Sequence, residues 1–143
     1  MDPLTALGLA SNVLDLVGKA VECGKTVYKL YKDGHTDDQE DLEAISGILD
    51  SVVTGLQKAP NNANVRKSGM DPQIVKLLTE SIKLCGELRD LVNKCKPDVS
   101  GSWRAAGVAA LKKLVHKSDI ESLEKKLETC RINLIAVFSA ATQ

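Results

Sequence analysis

Gly24-Lys25-Thr26 matches the close of a phosphate-binding loop, in which a glycine-rich turn offers backbone amides to a phosphate chain and the lysine reaches its oxygens. That motif requires a glycine five residues before Gly24, where this chain has Lys19, and Gly18 is one place off. The tripeptide also falls inside a helical repeat with no strand before it, so Lys25 reads as a solvated lysine on a helix face. His35 and His116 stand at no zinc-binding spacing from any cysteine. Cys85 and Cys95 lie on one helical pattern, about 15 Å apart along its axis, too far for a disulfide. All four cysteines, Cys23, Cys85, Cys95 and Cys130, fall on packed helical faces and read as reduced core thiols of a cytoplasmic protein. Acid–base chemistry needs carboxylates that converge on a cleft, whereas those from Asp37 to Glu43 crowd a helix start, where they complement its dipole. No catalytic, metal or cofactor site is expected, and the chain is not expected to be an enzyme.

Charge placement offers a second kind of chemistry. Nineteen basic and nineteen acidic residues cancel, which leaves no global field to gather nucleic acid, and 3% aromatic residues provide no platform for stacking bases. The charges are segregated nonetheless. Asp33 to Asp50 carries seven acidic residues and no lysine or arginine, whereas Lys94 to Lys117 carries six basic residues against Asp98. Within the basic segment Trp103 is a natural interfacial anchor. Lys94, Lys96, Arg104, Lys112, Lys113 and Lys117 are placed to meet acidic lipid headgroups, at roughly 1 kcal/mol each. The same two runs read equally as ordinary solvated faces.

The elements that would position these residues are helices. Asp2-Pro3 starts the first, with the aspartate as cap and the proline at the first helical position, and Gly34 ends it, so it spans about Pro3 to Lys32. Leu9, Val13, Leu16, Ala20, Cys23, Val27 and Leu30 form its continuous apolar stripe. A second set (Leu4, Leu7, Leu14, Val17, Val21, Tyr28, Tyr31) lies beside that stripe, one more than packing on a single side requires. Leu9, Val13, Leu16 and Cys23 are therefore expected in the core. Leu4 and Leu7, at the fraying end, are expected to stay available to lipid or to a neighbouring protomer.

Thr36 and Gln39 form a capping box, after which Leu42, Ile45, Leu49, Val52 and Leu56 line a second helix that stops at Pro60. Asp71-Pro72 starts a third, with Ile74, Leu78, Ile82, Cys85, Leu88 and Val92 on one face. Trp103, Ala106, Ala110 and Leu114 make a short amphipathic segment, and a capping box at Ser118 and Glu121 marks a kink or a fresh start. Ile120, Leu123, Leu127, Cys130, Leu134 and Val137 carry the last helix. Four helical patterns with short polar connections, in a chain of 143 residues, predict one domain over 1–143: an all-α, antiparallel four-helix bundle whose last helix is kinked or split.

The amino terminus is not a signal peptide, because Asp2 precedes its apolar run and the helical pattern continues through Asp15 and Lys19. The two longest uncharged stretches, Pro3 to Leu14 and Ile132 to Gln143, hold 12 residues each, against the ~20 of a spanning helix, so no transmembrane helix is expected.

The opening Met1-Asp2-Pro3-Leu4-Thr5, with Gly8, Ala10 and Ser11, resembles the start of the HeLo-like domains at the amino termini of fungal NOD-like receptors and other STAND proteins. Trp103, the basic stretch, Ile120 to Leu127 and Arg131-Ile132-Asn133-Leu134 are similar to the last helix of that family. The resemblance spans essentially the whole chain through compositional helix patterns. It implies a bundle related to the HeLo domain of HET-S and to the four-helix bundle of mixed lineage kinase domain-like protein. It further implies a cell-death effector that forms homo-oligomers once a sensor or amyloid-forming region, in the same or a partner protein, clusters it. Such clusters move from the cytoplasm to attack the lipids of the plasma membrane, with the apolar first helix implicated. A non-lytic helical adaptor, recruiting a partner bundle without touching lipid, is the rival reading.

Overall fold

A computed structural model describes residues 3–33, 38–61, 71–95 and 117–141. They form α1 (Pro3–Asp33), α2 (Asp38–Lys58), α3 (Pro72–Cys95) and α4 (Lys117–Ala141), with a 3₁₀ turn at Ala59–Asn61 closing α2. No strand occurs among the described residues. Asp71 caps α3 as its sequence requires: the Gln73 amide donates to Asp71 Oδ1 at 2.7 Å and the Val75 amide to the Asp71 carbonyl at 3.1 Å. Pro72, which has no amide to satisfy, takes the first helical position. The described part of α4 opens at Lys117, one residue before the capping box at Ser118, and the segment that would distinguish a kink from a fresh start lies outside the described residues. Asp2, Thr36 and the segment with Trp103 lie outside the described residues.

Cross-helix contacts set the directions. The Tyr28 hydroxyl donates to Glu121 at 3.2 Å, joining the end of α1 to the start of α4. Ser46 of α2 donates to Asn93 Oδ1 of α3 at 2.7 Å, and Arg89 stands 3.8 Å from Asp50. Leu16 of α1 rests on Gly55 of α2, where a Cβ would lie 2.8 Å from a leucine methyl, so the glycine allows this seam to close. Each helix runs antiparallel to its two neighbours in an α1–α2–α3–α4 circuit. α1 and α3 also meet across the diagonal, while α2 and α4 do not among the described residues.

The core is aliphatic. Val13, Val17, Leu49, Leu56, Ile74, Leu88, Leu127 and Leu134 are fully buried, each leucine or isoleucine worth roughly 1.5–3 kcal/mol of transfer free energy. Leu9, Cys23 and Ile45 are buried with them. Leu16, Ile82 and Leu123, expected inside, instead lie half-buried against the edge of this core. On α1 the reason is its neighbours: touching all three other helices, it buries a wider arc that takes in Ala6, Ala10, Val17 and Val21, which displaces Leu16 to the α2 seam. On α3 the buried row runs Leu78, Ser81, Cys85, Leu88, so Ile82 falls beside it. Ser81 tolerates complete burial because its hydroxyl donates to the Leu77 carbonyl at 2.8 Å.

Candidate membrane-facing surface

The amino-terminal turns of α1 are apolar on both sides, and only one side packs. Ala6, Leu9, Ala10 and Val13 are buried, while Leu4 and Leu7 stand 82% and 61% exposed. The first charges after Pro3 are Asp15 and Lys19, and they neutralise one another as an i,i+4 pair at 3.4 Å. The pair alters the reading of α1. An 18-residue window within Leu4–Lys29 reaches a mean hydropathy of 1.3, long and apolar enough to cross a membrane. The uncharged runs, which end at Asp15, are too short for a span, whereas α1 as a whole passes on length and composition alone. By position α1 is equally a core helix, with 39% of that window buried.

The carboxy-terminal half of α4 repeats the arrangement. Its last charged residue is Arg131, which binds Glu128 through Nη2 at 2.9 Å and Nε at 3.3 Å. Those hydrogen bonds hold the Glu128 carboxyl below the usual carboxylate range. Beyond Arg131, Leu134 and Phe138 point into the core, whereas Ile132 and Ile135 are 55% and 41% exposed. Carrying the Tyr28–Glu121 pairing along the two antiparallel helices sets Leu14 level with Ile135 and Ala10 level with Ser139. Residues 8–14 of α1 thus lie level with residues 135–141 of α4, uncharged on both helices, at one end of the bundle.

Sequence reasoning placed Leu4 and Leu7 on this surface and missed Ile132 and Ile135. Both isoleucines lie off the Cys130–Leu134–Val137 stripe inside an uncharged stretch, and that combination was the available signal. Trp103, Arg104, Lys112 and Lys113 lie outside the described residues. Lys117 opens α4, and its side chain is also outside them.

Between α1 and α2 runs an open groove of about 870 Å³, floored by Leu16, Cys23, Ile45, Ile48 and Val52 and widened by Gly18 and Gly47. Asp15, Lys19 and Glu22 rim it. Gly24 is buried within α1 against Glu124 and Leu88, so Gly24-Lys25-Thr26 forms no phosphate loop. Cys23, Cys85 and Cys130 are free and buried. Burial, with Glu22 nearby, pushes the Cys23 thiol up to about 11. Burial and the two other thiols push Cys85 up to about 12. Burial, with Glu80 nearby, raises Cys130 as well. Such thiols are inert at neutral pH. Among the described residues no group of histidine, cysteine and carboxylate side chains could hold a metal ion.

No protein-family profile, curated protein or solved structure matches this chain, so its likeness to HeLo-like domains rests on the residues quoted above.

Proposed function

We propose that this chain is a membrane-targeting effector bundle of the cell-death type, cytoplasmic at rest, which oligomerises on activation and binds or permeabilises the plasma membrane. The observation that carries the reading is the exposure of Leu4 and Leu7 at the uncharged end of a helix whose opposite side is core. Soluble bundles gain nothing from two leucines held in water, whereas each leucine moved into hydrocarbon gains roughly 1.5–3 kcal/mol. The resemblance to HeLo-like domains supports the same role. In this reading Trp103, Arg104, Lys112, Lys113 and Lys117 add attraction to acidic headgroups, and a sensor or amyloid-forming region supplies the clustering.

The open α1–α2 groove favours the adaptor as second reading, because an apolar trough between two helices can seat a partner helix. Co-sedimentation with acidic and neutral vesicles, repeated with artificially clustered protein, separates the two. The effector binds vesicles and releases entrapped dye when clustered, and Leu4→Glu with Leu7→Glu abolishes the release. A protein that ignores both vesicle types, clustered or not, is not a membrane effector.

A further inference from the structure

We infer that the lipid contact is a two-helix edge rather than the tip of α1: Ile132 and Ile135 of α4 enter the membrane together with Leu4 and Leu7 of α1, and α1 stays packed in the bundle as they do. The inference rests on the membrane reading above and gives it a site, a depth and a lipid chemistry.

Three observations carry it. First, the fold lays the uncharged residues 8–14 of α1 along the uncharged residues 135–141 of α4, with Leu14 level with Ile135 and Leu4 and Leu7 continuing the α1 side of that edge. The exposed large apolar side chains of both helices belong to the uncharged stretches that contain these residues, Pro3 to Leu14 and Ile132 to Gln143. Second, the buried partners of the edge sit on the same turns as its exposed residues: Ala6, Leu9, Ala10 and Val13 between and after Leu4 and Leu7, and Leu134 and Phe138 beside Ile132 and Ile135. Drawing α1 out of the bundle would strip the core from α2, α3 and α4 at once and uncover Cys23, Cys85 and Cys130. Docking the edge as it stands unpacks nothing. Third, neither stretch contains a lysine, arginine or carboxylate, and the flanking charges are already paired, Asp15 with Lys19 and Arg131 with Glu128. No charge has to be desolvated on entry, so the chemistry matched is the uncharged acyl boundary of a zwitterionic bilayer. Acidic headgroups are not needed for this contact, and salt does not weaken it.

The test uses the full chain and vesicles of pure phosphatidylcholine, sedimented at low and high salt. Wild type binds equally at both salts. Ile132→Glu with Ile135→Glu lowers the bound fraction at least tenfold, as Leu4→Glu with Leu7→Glu does, while Thr129→Glu, exposed on α4 before the uncharged stretch, leaves it unchanged. Thermal melts followed by circular dichroism certify each variant as folded. Ile132→Ser alone, at the more exposed site, is the substitute if the double variant is not, with a loss of at least threefold. Reaction of Cys23, Cys85 and Cys130 with a thiol reagent stays as slow on vesicles as in solution. Full binding by the folded α4 variant, with loss only in the α1 variant, overturns the two-helix edge and leaves the membrane reading standing. Thiols that react on vesicles at the rate of unfolded protein overturn the packed α1. If the α4 variant keeps lipid binding but loses self-association, the isoleucines join copies of the chain and the inference is wrong. Wild type that never sediments with any vesicle defeats the membrane reading itself.

Discussion

Replacing Leu4 and Leu7 together by glutamate should leave the bundle almost as stable as wild type. Full burial of a leucine is worth roughly 1.5–3 kcal/mol. At 82% and 61% exposed, these two retain about a fifth and two fifths of that, so removing both contacts costs roughly 1–2 kcal/mol. Leucine and glutamate have similar helix propensities, so the backbone is indifferent. The first turn of α1 has no acidic residue, and a glutamate at position 4 meets the positive end of the helix dipole, returning roughly 0.3–1 kcal/mol. The net loss should be about 1 kcal/mol. Leu134→Ala, at a site 0% exposed, should cost about 2–5 kcal/mol, and Leu134→Glu more, because it buries an unpaired charge. Urea unfolding followed by circular dichroism reads the difference. With a slope of about 1–3 kcal/mol per molar urea, the α1 variant shifts the midpoint by about 0.5 M and Leu134→Ala by 1 M or more. If the double glutamate variant loses as much as Leu134→Ala, Leu4 and Leu7 are structural side chains and the argument from their exposure fails.

Three further outcomes are expected. Gly18→Ala and Gly47→Ala, where an added Cβ meets nothing within 4 Å, should each stabilise by roughly 0.5–1 kcal/mol in thermal melts. Gly55→Ala should fall short of them by about 1 kcal/mol, since its Cβ lands 2.8 Å from a Leu16 methyl, and measured against a Leu16→Ala background, which carries its own packing loss, the same glycine change should recover the gain; equal stabilisation at all three glycines in the wild-type background would contradict the tight α1–α2 seam. Cys23 and Cys85 hold their protons in the folded state up to about 11 and 12. The unfolded thiols ionise first, so stability is intact below about pH 9 and falls above it by about 1.4 kcal/mol per pH unit per thiol; an unchanged alkaline slope in Cys85→Ala would refute this. Ser46→Ala removes the bond to Asn93, but Asn93 is exposed and regains water, so the cost should stay near 1 kcal/mol. A loss above about 3 kcal/mol would show that the pair anchors α2 to α3 more firmly than its geometry implies.

Most of the bundle was readable from spacing. A repeat of three and four residues identifies the face that packs, and Asp71-Pro72 marks a start because its cap and its missing amide act within one turn. The repeat does not report how many neighbours a helix has. α1 touches three helices and buries Val17 and Val21 from its second stripe, while Leu16 from its first is pushed to a seam. Surplus apolar residues on a helix identify an available face, and Leu4 and Leu7 were legible for that reason. Ile132 and Ile135 carried a comparable signal, lying off the packing stripe in an uncharged stretch, but that α4 runs beside α1 is a fact of topology that no local pattern contains.

The charges around the edge also determine how it can meet a bilayer. The twelve uncharged residues that open α1 are about 18 Å of length and the ten of α4 from Ile132 to Ala141 about 15 Å, about half of the ~30 Å hydrocarbon core, which would suit end-on entry if α1 and α4 stood alone. They do not. α2 runs antiparallel to α1 and ends at the same end of the bundle in exposed Lys58, and α3 starts there with exposed Asp71 and Lys76. End-on insertion of the packed bundle would carry these charges into hydrocarbon along with the leucines, at several kcal/mol each. Tilting the bundle so that the α1–α4 seam leads keeps Lys58, Asp71 and Lys76 at the water side while Leu4, Leu7, Ile132 and Ile135 descend. A single bundle so placed rests in one leaflet and spans nothing. On the proposed reading, leakage would therefore require several bundles acting on one patch of membrane together, so clustering would be the physical condition for lysis and a lone bundle would bind without harming the bilayer.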